Sequence, residues 1–284
     1  VTSQVLTAPL RFFVYSNLFI AVCAVLMVSQ TSYLLLHTDP AFYTIGFVFF
    51  STICSYSFHW YLSSEEVIVR SPRTAWQRQN KIAHLLLFVI GLAGASILFF
   101  KLAQHWYWLL FAAGITFLYS APKIPHPYFR ALRKIAIGKT IFLALVWTYV
   151  TSTLPILLSD ASWKPEFYLF NISRFFLIYA ICILFDYRDR EDDRAKGIRS
   201  LITFLDQKGI RNLFIISLSI FGASTIALSF FHFSALIVII LLIPGIITSI
   251  LYKHALKNFS DLLYYLVLDG LMALSSILTL LTRI

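Results

Sequence analysis

Apolar residues run along this chain in long stretches broken by short polar segments, at about 10–36, 40–62, 82–101, 105–120, 135–158, 165–186, 211–231, 233–252 and 260–282. A helix needs roughly 20 mostly apolar residues to cross a bilayer. The pattern therefore predicts nine membrane-spanning helices and an all-α, polytopic membrane protein. The fourth stretch is short, and only the region of His232 parts the seventh from the eighth, so eight spans is the alternative count. The first stretch is too long for a signal-peptide core and no small-residue cleavage site follows it, so it is read as span one. No linker or low-complexity segment divides the chain, and 1–284 is expected to form a single transmembrane domain.

Composition supports this pattern. The 284 residues are 59% hydrophobic and 13% charged, with a mean hydropathy of +0.80. A soluble domain is about 25% charged, so lipid must cover much of this surface. The net charge of +10 invites a nucleic-acid reading. The bases instead sit in short connections between apolar runs, as the positive-inside rule predicts, and no nucleic-acid partner is expected. With the N-terminus cytoplasmic, 19 of the 23 bases fall inside, leaving Lys101, Lys164, Arg174 and Arg283. The inside loops, near 63–81, 121–139, 187–210 and 253–259, are longer and chemically richer than outside connections such as His37–Pro40. The expectation is a multi-pass protein of the cell inner membrane, surrounded by membrane lipids, with its active loops cytoplasmic. Cys23, Cys54 and Cys182 lie inside apolar runs without paired spacing, which supports neither a disulfide framework nor a zinc site. Pro155 and Pro244 interrupt single spans and read as kinks.

One segment departs from this pattern. Asp186–Arg199 reads DYRDREDDRAKGIR, with ten of 14 residues charged and five of the chain's 13 acids. The positive-inside rule explains the bases but not the acids, and acids at a helix C-terminus oppose the helix dipole. If span six continues about two turns past the bilayer, Asp186, Asp189 and Asp193 stand at i, i+3 and i+7 on one face. Carboxylates beside Arg and Lys suit Mg²⁺ bridged to a phosphate, and Arg194, Lys196 and Arg199 are placed to take the remaining phosphate charge. The bland alternative is a solvated loop whose charges pair with one another.

The order of residues favours the first reading. DREDDRAKGIRSL resembles the second Asp-rich motif of the UbiA superfamily of intramembrane prenyltransferases, which runs D-x-x-x-D, a basic stretch, then G-[IK]-[KR]-[ST]. Here the motif falls on Asp189, Asp193, Gly197, Arg199 and Ser200. The family has nine helices with this motif after helix six, and a Y-S-x-P segment that is similar to Tyr119-Ser120-Ala121-Pro122 here. The family's first motif, N-x-x-x-D-x-x-x-D followed by a basic residue and Ser/Thr, meets CSYSFHWYLSSEEVIVRSPRT, with no Asn and no Asp. One register places Ser57, Tyr61 and Glu65 on the three positions and matches Arg70-Ser71 to the basic–Ser/Thr pair. The other places Ser55, His59 and Ser63 there.

The resemblance implies a fold of helices around a central cavity. It implies Mg²⁺ held by Asp189 and Asp193 with Asp186 in support, and an isoprenoid diphosphate held by Arg70, Arg194, Lys196 and Arg199. Tyr119 and Lys139 would reach the same diphosphate. Glu65 would be the residual ligand of the first motif, and His59 a substitute contact or base. The implied reaction transfers a prenyl group from the diphosphate to a lipophilic, often aromatic, acceptor. The loss of the first-motif acids motivates an alternative. In it, an impaired member binds a prenyl lipid, quinone or pigment, or serves as an accessory subunit with protein partners in a membrane complex. Individual residues keep structural alternatives too. His59 also reads as a hydrogen-bonded structural histidine and Lys139 as a snorkelling lysine, while Asp269 is placed to line the central cavity or pair with a base, and Arg174 has either a structural partner or a substrate role.

Overall fold

The computed structural model describes residues 8–63, 71–124, 126, 128–129, 139–195 and 200–282. Every regular element among them is helical: α1 (Ala8–Tyr15), α2 (Leu18–Leu36), α3 (Phe42–Ser63), α4 (Pro72–Gln79), α5 (Lys81–Lys101), α6 (Trp106–Ser120), α7 (Lys139–Leu158), α8 (Pro165–Ala195), α9 (Leu201–Phe204), α10 (Gln207–Ala227), α11 (Ala235–Ala255) and α12 (Leu263–Leu281). Seven of these, α2, α5, α7, α8, α10, α11 and α12, are long and apolar enough to cross a membrane. α3 and α6 occupy the second and fourth expected spans. The 22 residues of α3 are diluted by Ser, Tyr and His, and α6 has only 15 residues.

The first apolar stretch is two helices rather than one. Asn17 takes a left-handed backbone (φ 72°) between α1 and α2, a conformation that Asn tolerates better than most residues. Arg73 donates to Asn17 Oδ1 at 3.3 Å, so the break is tied to α4. α4 starts at a capping box between Ser71 and Thr74, with Pro72 in its first turn, a residue order that satisfies the free N–H groups of a helix start. Between α10 and α11, a tight turn at Leu228–Phe231 ends in His232 at φ 66°. This turn separates the seventh and eighth expected spans. Single π-helical turns widen α2 at Ser32–Leu36, α7 at Tyr149–Thr153 and α12 at Leu263–Leu268; such turns are frequent at functional sites.

α8 is the central helix. Leu177 through Leu184 are all buried, and it packs on α7 and α10. A helix apolar on every side belongs in such a position. α5 is its opposite: Leu86, Val89, Ile90, Ile97 and Phe100 are exposed, as expected of side chains that face lipid. α5 is held almost wholly by α3. A Cβ on Gly91 would stand 2.6 Å from Cys54 N, and one on Gly94 2.5 Å from the Phe50 ring. These two positions let the helices approach closely.

Candidate active site

The helices enclose a cavity of about 1860 Å³, lined by α2, α3, α5, α6, α7, α8 and α12 and reached by α4. Its walls are mostly apolar and aromatic. Its charged residues gather where the C-terminal ends of α3, α6 and α8 meet the starts of α7 and α12.

α8 runs 31 residues, which carries it past its apolar section and keeps Asp186, Asp189 and Asp193 on one helical face. All three line the cavity, with Asp192. Asp186 and Asp193 are each 6% exposed. Lys139, the first residue of α7, stands between them, its Nζ 3.8 Å from Asp186 Oδ1 and 3.5 Å from Asp193 Oδ2. The neighbouring Thr140 hydroxyl donates to Asp186. Asp189 pairs instead with Arg188, at 2.9 Å from Nε to Oδ1. Asp186 and Asp193 are buried and need such a partner, since leaving a buried carboxylate unpaired is costly.

The Arg188 pair opens a longer chain of contacts. Arg188 also donates to the Tyr265 hydroxyl at 2.6 Å, and the Tyr265 ring lies 3.5 Å under the guanidinium of Arg73. Arg73 stacks over Trp60 as well, at 4.7 Å, and Lys123 approaches the same Trp60 ring at 5.7 Å. Arg73 is 5% exposed. Its backbone N–H donates to Asp261 at 2.8 Å, but its Nε and one terminal nitrogen have no hydrogen-bond partner among the described residues. Buried polar groups are nearly always bonded, so a guanidinium with unspent donors at a cavity is prepared for an anionic oxygen.

The third group is aromatic. His59 of α3 stacks on Tyr119 of α6, with ring centroids 5.4 Å apart and an interplanar angle of 16°. Its Nδ1 lies 3.4 Å from the Ser120 hydroxyl. Residues of the diverged first motif thus touch residues of the Tyr-Ser-x-Pro segment. Ser55 and His59 line the cavity. Ser57 is fully buried, and the Tyr61 ring lies 5.0 Å from Lys81 of α5. The register through Ser55 and His59 therefore faces the cavity, because positions four apart share a helical face.

Residues 70–261 match the model of the UbiA prenyltransferase family, which is well over half of the chain. The chain belongs to the UbiA prenyltransferase family. The apo structure of a UbiA homolog from Aeropyrum pernix K1 shares the fold, with a TM-score of 0.60 at 15% identity, covering 97% of this chain and all of that one. No curated protein matches the chain. Helices of this composition in a UbiA fold make the chain an integral membrane protein.

Several residues singled out from the sequence meet in this UbiA cavity: Asp186, Asp189, Asp193, Lys139, His59 and Tyr119. Arg194 does not join them. It lies about 140° around the helix from Asp189 at 100° per residue, donates to the Thr203 carbonyl at 3.0 Å and pairs with Glu191 at 3.5 Å. It thereby ties α8 to α9. Glu65, Arg70, Lys196 and Arg199 lie outside the described residues. The cavity adds Arg73, Lys123, Arg188 and Tyr265, which sequence reasoning did not select. Arg188 sits beside the acidic motif and was within reach of it, whereas Tyr265 carries no signal along the chain.

Among the described residues, no three His, Cys, Asp or Glu side chains converge closely enough to hold a metal by themselves. Mg²⁺ is usually bound by one or two carboxylates plus water and substrate phosphate oxygens. Carboxylates on one cavity wall fit that donor set, with Asp186 and Asp193 near enough to share one ammonium.

Proposed function

We propose that the chain transfers a prenyl group from an isoprenoid diphosphate to a lipophilic acceptor, with Mg²⁺ as cofactor. The observation that carries this is Arg73: its unspent donors join, through Tyr265 and Arg188, the same cavity end as Asp186, Asp189 and Asp193. The nine-span expectation places this end at the cytoplasmic side of the inner membrane.

Asp189 and Asp193 would hold Mg²⁺, with Asp186 in support; bound there, the ion would neutralise diphosphate charge. Arg73 and Lys123 bind the diphosphate oxygens, and Arg188 and Lys139 add positive charge beside them. As the allylic C–O bond breaks, its electron pair leaves with the diphosphate. Fixed cations aimed at that developing charge lower the barrier. The apolar part of the cavity takes the prenyl tail, while Tyr119 and His59 line it beside the charged end. The acceptor forms the new bond to the allylic carbon and loses its proton. A pocket for one drug-sized ligand spans about 300–1,000 Å³, so a cavity of about 1860 Å³ has room for donor and acceptor together.

Asp189→Asn removes one metal-facing carboxylate without changing shape. Diphosphate release, followed in purified protein with Mg²⁺, should fall by about 10²-fold or more, and EDTA should silence the wild type reversibly. Turnover that survives both treatments rejects the assignment.

A second reading rests on the first motif, whose cavity-facing residues, Ser55 and His59, are not carboxylates. In it, the chain binds a prenyl lipid, quinone or pigment, or packs in a membrane complex, without turnover. Mass spectrometry showing a stoichiometric prenyl lipid, with no diphosphate released at any Mg²⁺ concentration, would favour it.

A further inference from the structure

A second cleft, of about 510 Å³, lies outside this cavity, between the start of α10 and the end of α11. Lys208 and Arg211 face it from α10, and Lys253 and Lys257 from the α11 side. No acid lines it. Asp206, the nearest in sequence, is spent on capping Gly209 N at 2.7 Å. Tyr252 and Leu256 form an apolar floor, and the Tyr252 ring lies 4.5 Å from that of Phe214.

The bases at the end of α11 need little explanation, since cations are favoured at a helix C-terminus. Lys208 and Arg211 are different. They stand in the opening turns of a 21-residue helix, where the dipole opposes positive charge and favours an anion. Four cations facing one another with no acid between them repel, and a bound anion would relieve that.

Below the cleft both helices are apolar and exposed. Ile215 and Ile216 continue from Arg211, and Ile250 and Ile246 from Lys253. A cationic rim above two lipid-facing helix surfaces matches an amphiphile with an anionic head and hydrocarbon tails. We propose that the cleft binds an anionic phospholipid of the adjoining leaflet, its phosphate among Lys208, Arg211, Lys253 and Lys257 and its chains along those isoleucines. Basic pockets between spans at a membrane face hold lipid headgroups in this way.

Native mass spectrometry of the whole protein, exchanged into equal phosphatidylglycerol and phosphatidylcholine, tests this. The wild type should retain phosphatidylglycerol about tenfold over phosphatidylcholine. Changing the four bases to Gln should bring the ratio to about one, and the smaller pair Arg211→Gln with Lys253→Gln should lower it severalfold. Lys101→Gln with Lys164→Gln, which removes bases far from the cleft, should leave it unchanged. Equal retention by wild type and variants, or loss of the preference in Lys101→Gln with Lys164→Gln, overturns the proposal. Displacement of the lipid by millimolar inorganic phosphate also overturns it and makes the cleft a soluble-anion site. The readout is lipid mass, so the result is independent of prenyl transfer.

Discussion

Lys139 places its ammonium between Asp186 and Asp193, where a cation is needed to offset two buried carboxylates. Lys139→Met should cost on the order of 2 kcal/mol, less than for a fully buried pair because the lysine remains 32% exposed. Mg²⁺ should then raise the thermal midpoint of the variant more than that of the wild type, since the ion can take over the charge balance. An identical Mg²⁺ response in both proteins would contradict this exchange of lysine for metal. Arg73 acts through shape as well as charge, stacked against Tyr265 and Trp60. Arg73→Gln should weaken binding of an unreactive isoprenoid diphosphate analogue about tenfold or more, and Arg73→Lys should recover only part of it, because an ammonium lacks the planar fork. Titration calorimetry reads both. Arg73 was not legible in RSPRTAW, and the capping box at Ser71 shows only in the structure. A cap sets where a helix begins, but which base then turns inward depends on Trp60 and Tyr265, distant in sequence.

At the scale of the elements, two contacts hold the bundle by different means. α5 depends on the absence of side chains at Gly91 and Gly94. Gly91→Val has to push α3 and α5 apart at the Cys54 backbone, at a cost of about 1–3 kcal/mol, read as a lower unfolding temperature in detergent. The spacing of Gly91 and Ala95 already signals a small-xxx-small seam, so this contact was within reach of the sequence, though its partner was not. The other contact is polar. Arg174 of α8 donates to Gln30 of α2, which also accepts from Ser275 and Ser276 of α12 and donates to Thr279. Arg174 further donates to the Met272 carbonyl at 3.3 Å. Of the two roles open for Arg174, the network supplies the structural partner. Gln30→Leu takes from a buried guanidinium its side-chain acceptor and should cost about 2–4 kcal/mol, whereas Arg174→Met leaves Gln30 bonded and should cost less. Equal losses in unfolding measurements would contradict this asymmetry.

At the scale of the whole molecule, the cavity sets what the protein can accept. Ala95 of α5 lines it, and Ala95→Trp should shorten the longest prenyl chain bound, while leaving the Mg²⁺ requirement unchanged. Mass spectrometry of bound lipid across a chain-length series reads the shift. The sequence by itself determined the helical, membrane-embedded class, because lipid tolerates few charges and backbone groups must be satisfied within each span. It also determined the acidic face of α8, because i, i+3 and i+7 spacing converts directly into direction. Only the tertiary structure decided which face of α3 meets the cavity, that Arg194 serves α9 while Arg73 and Arg188 turn inward, and that α1 breaks from α2 at Asn17. Those outcomes depend on contacts between helices, and hydropathy averages over a helix without saying which neighbour each side will meet.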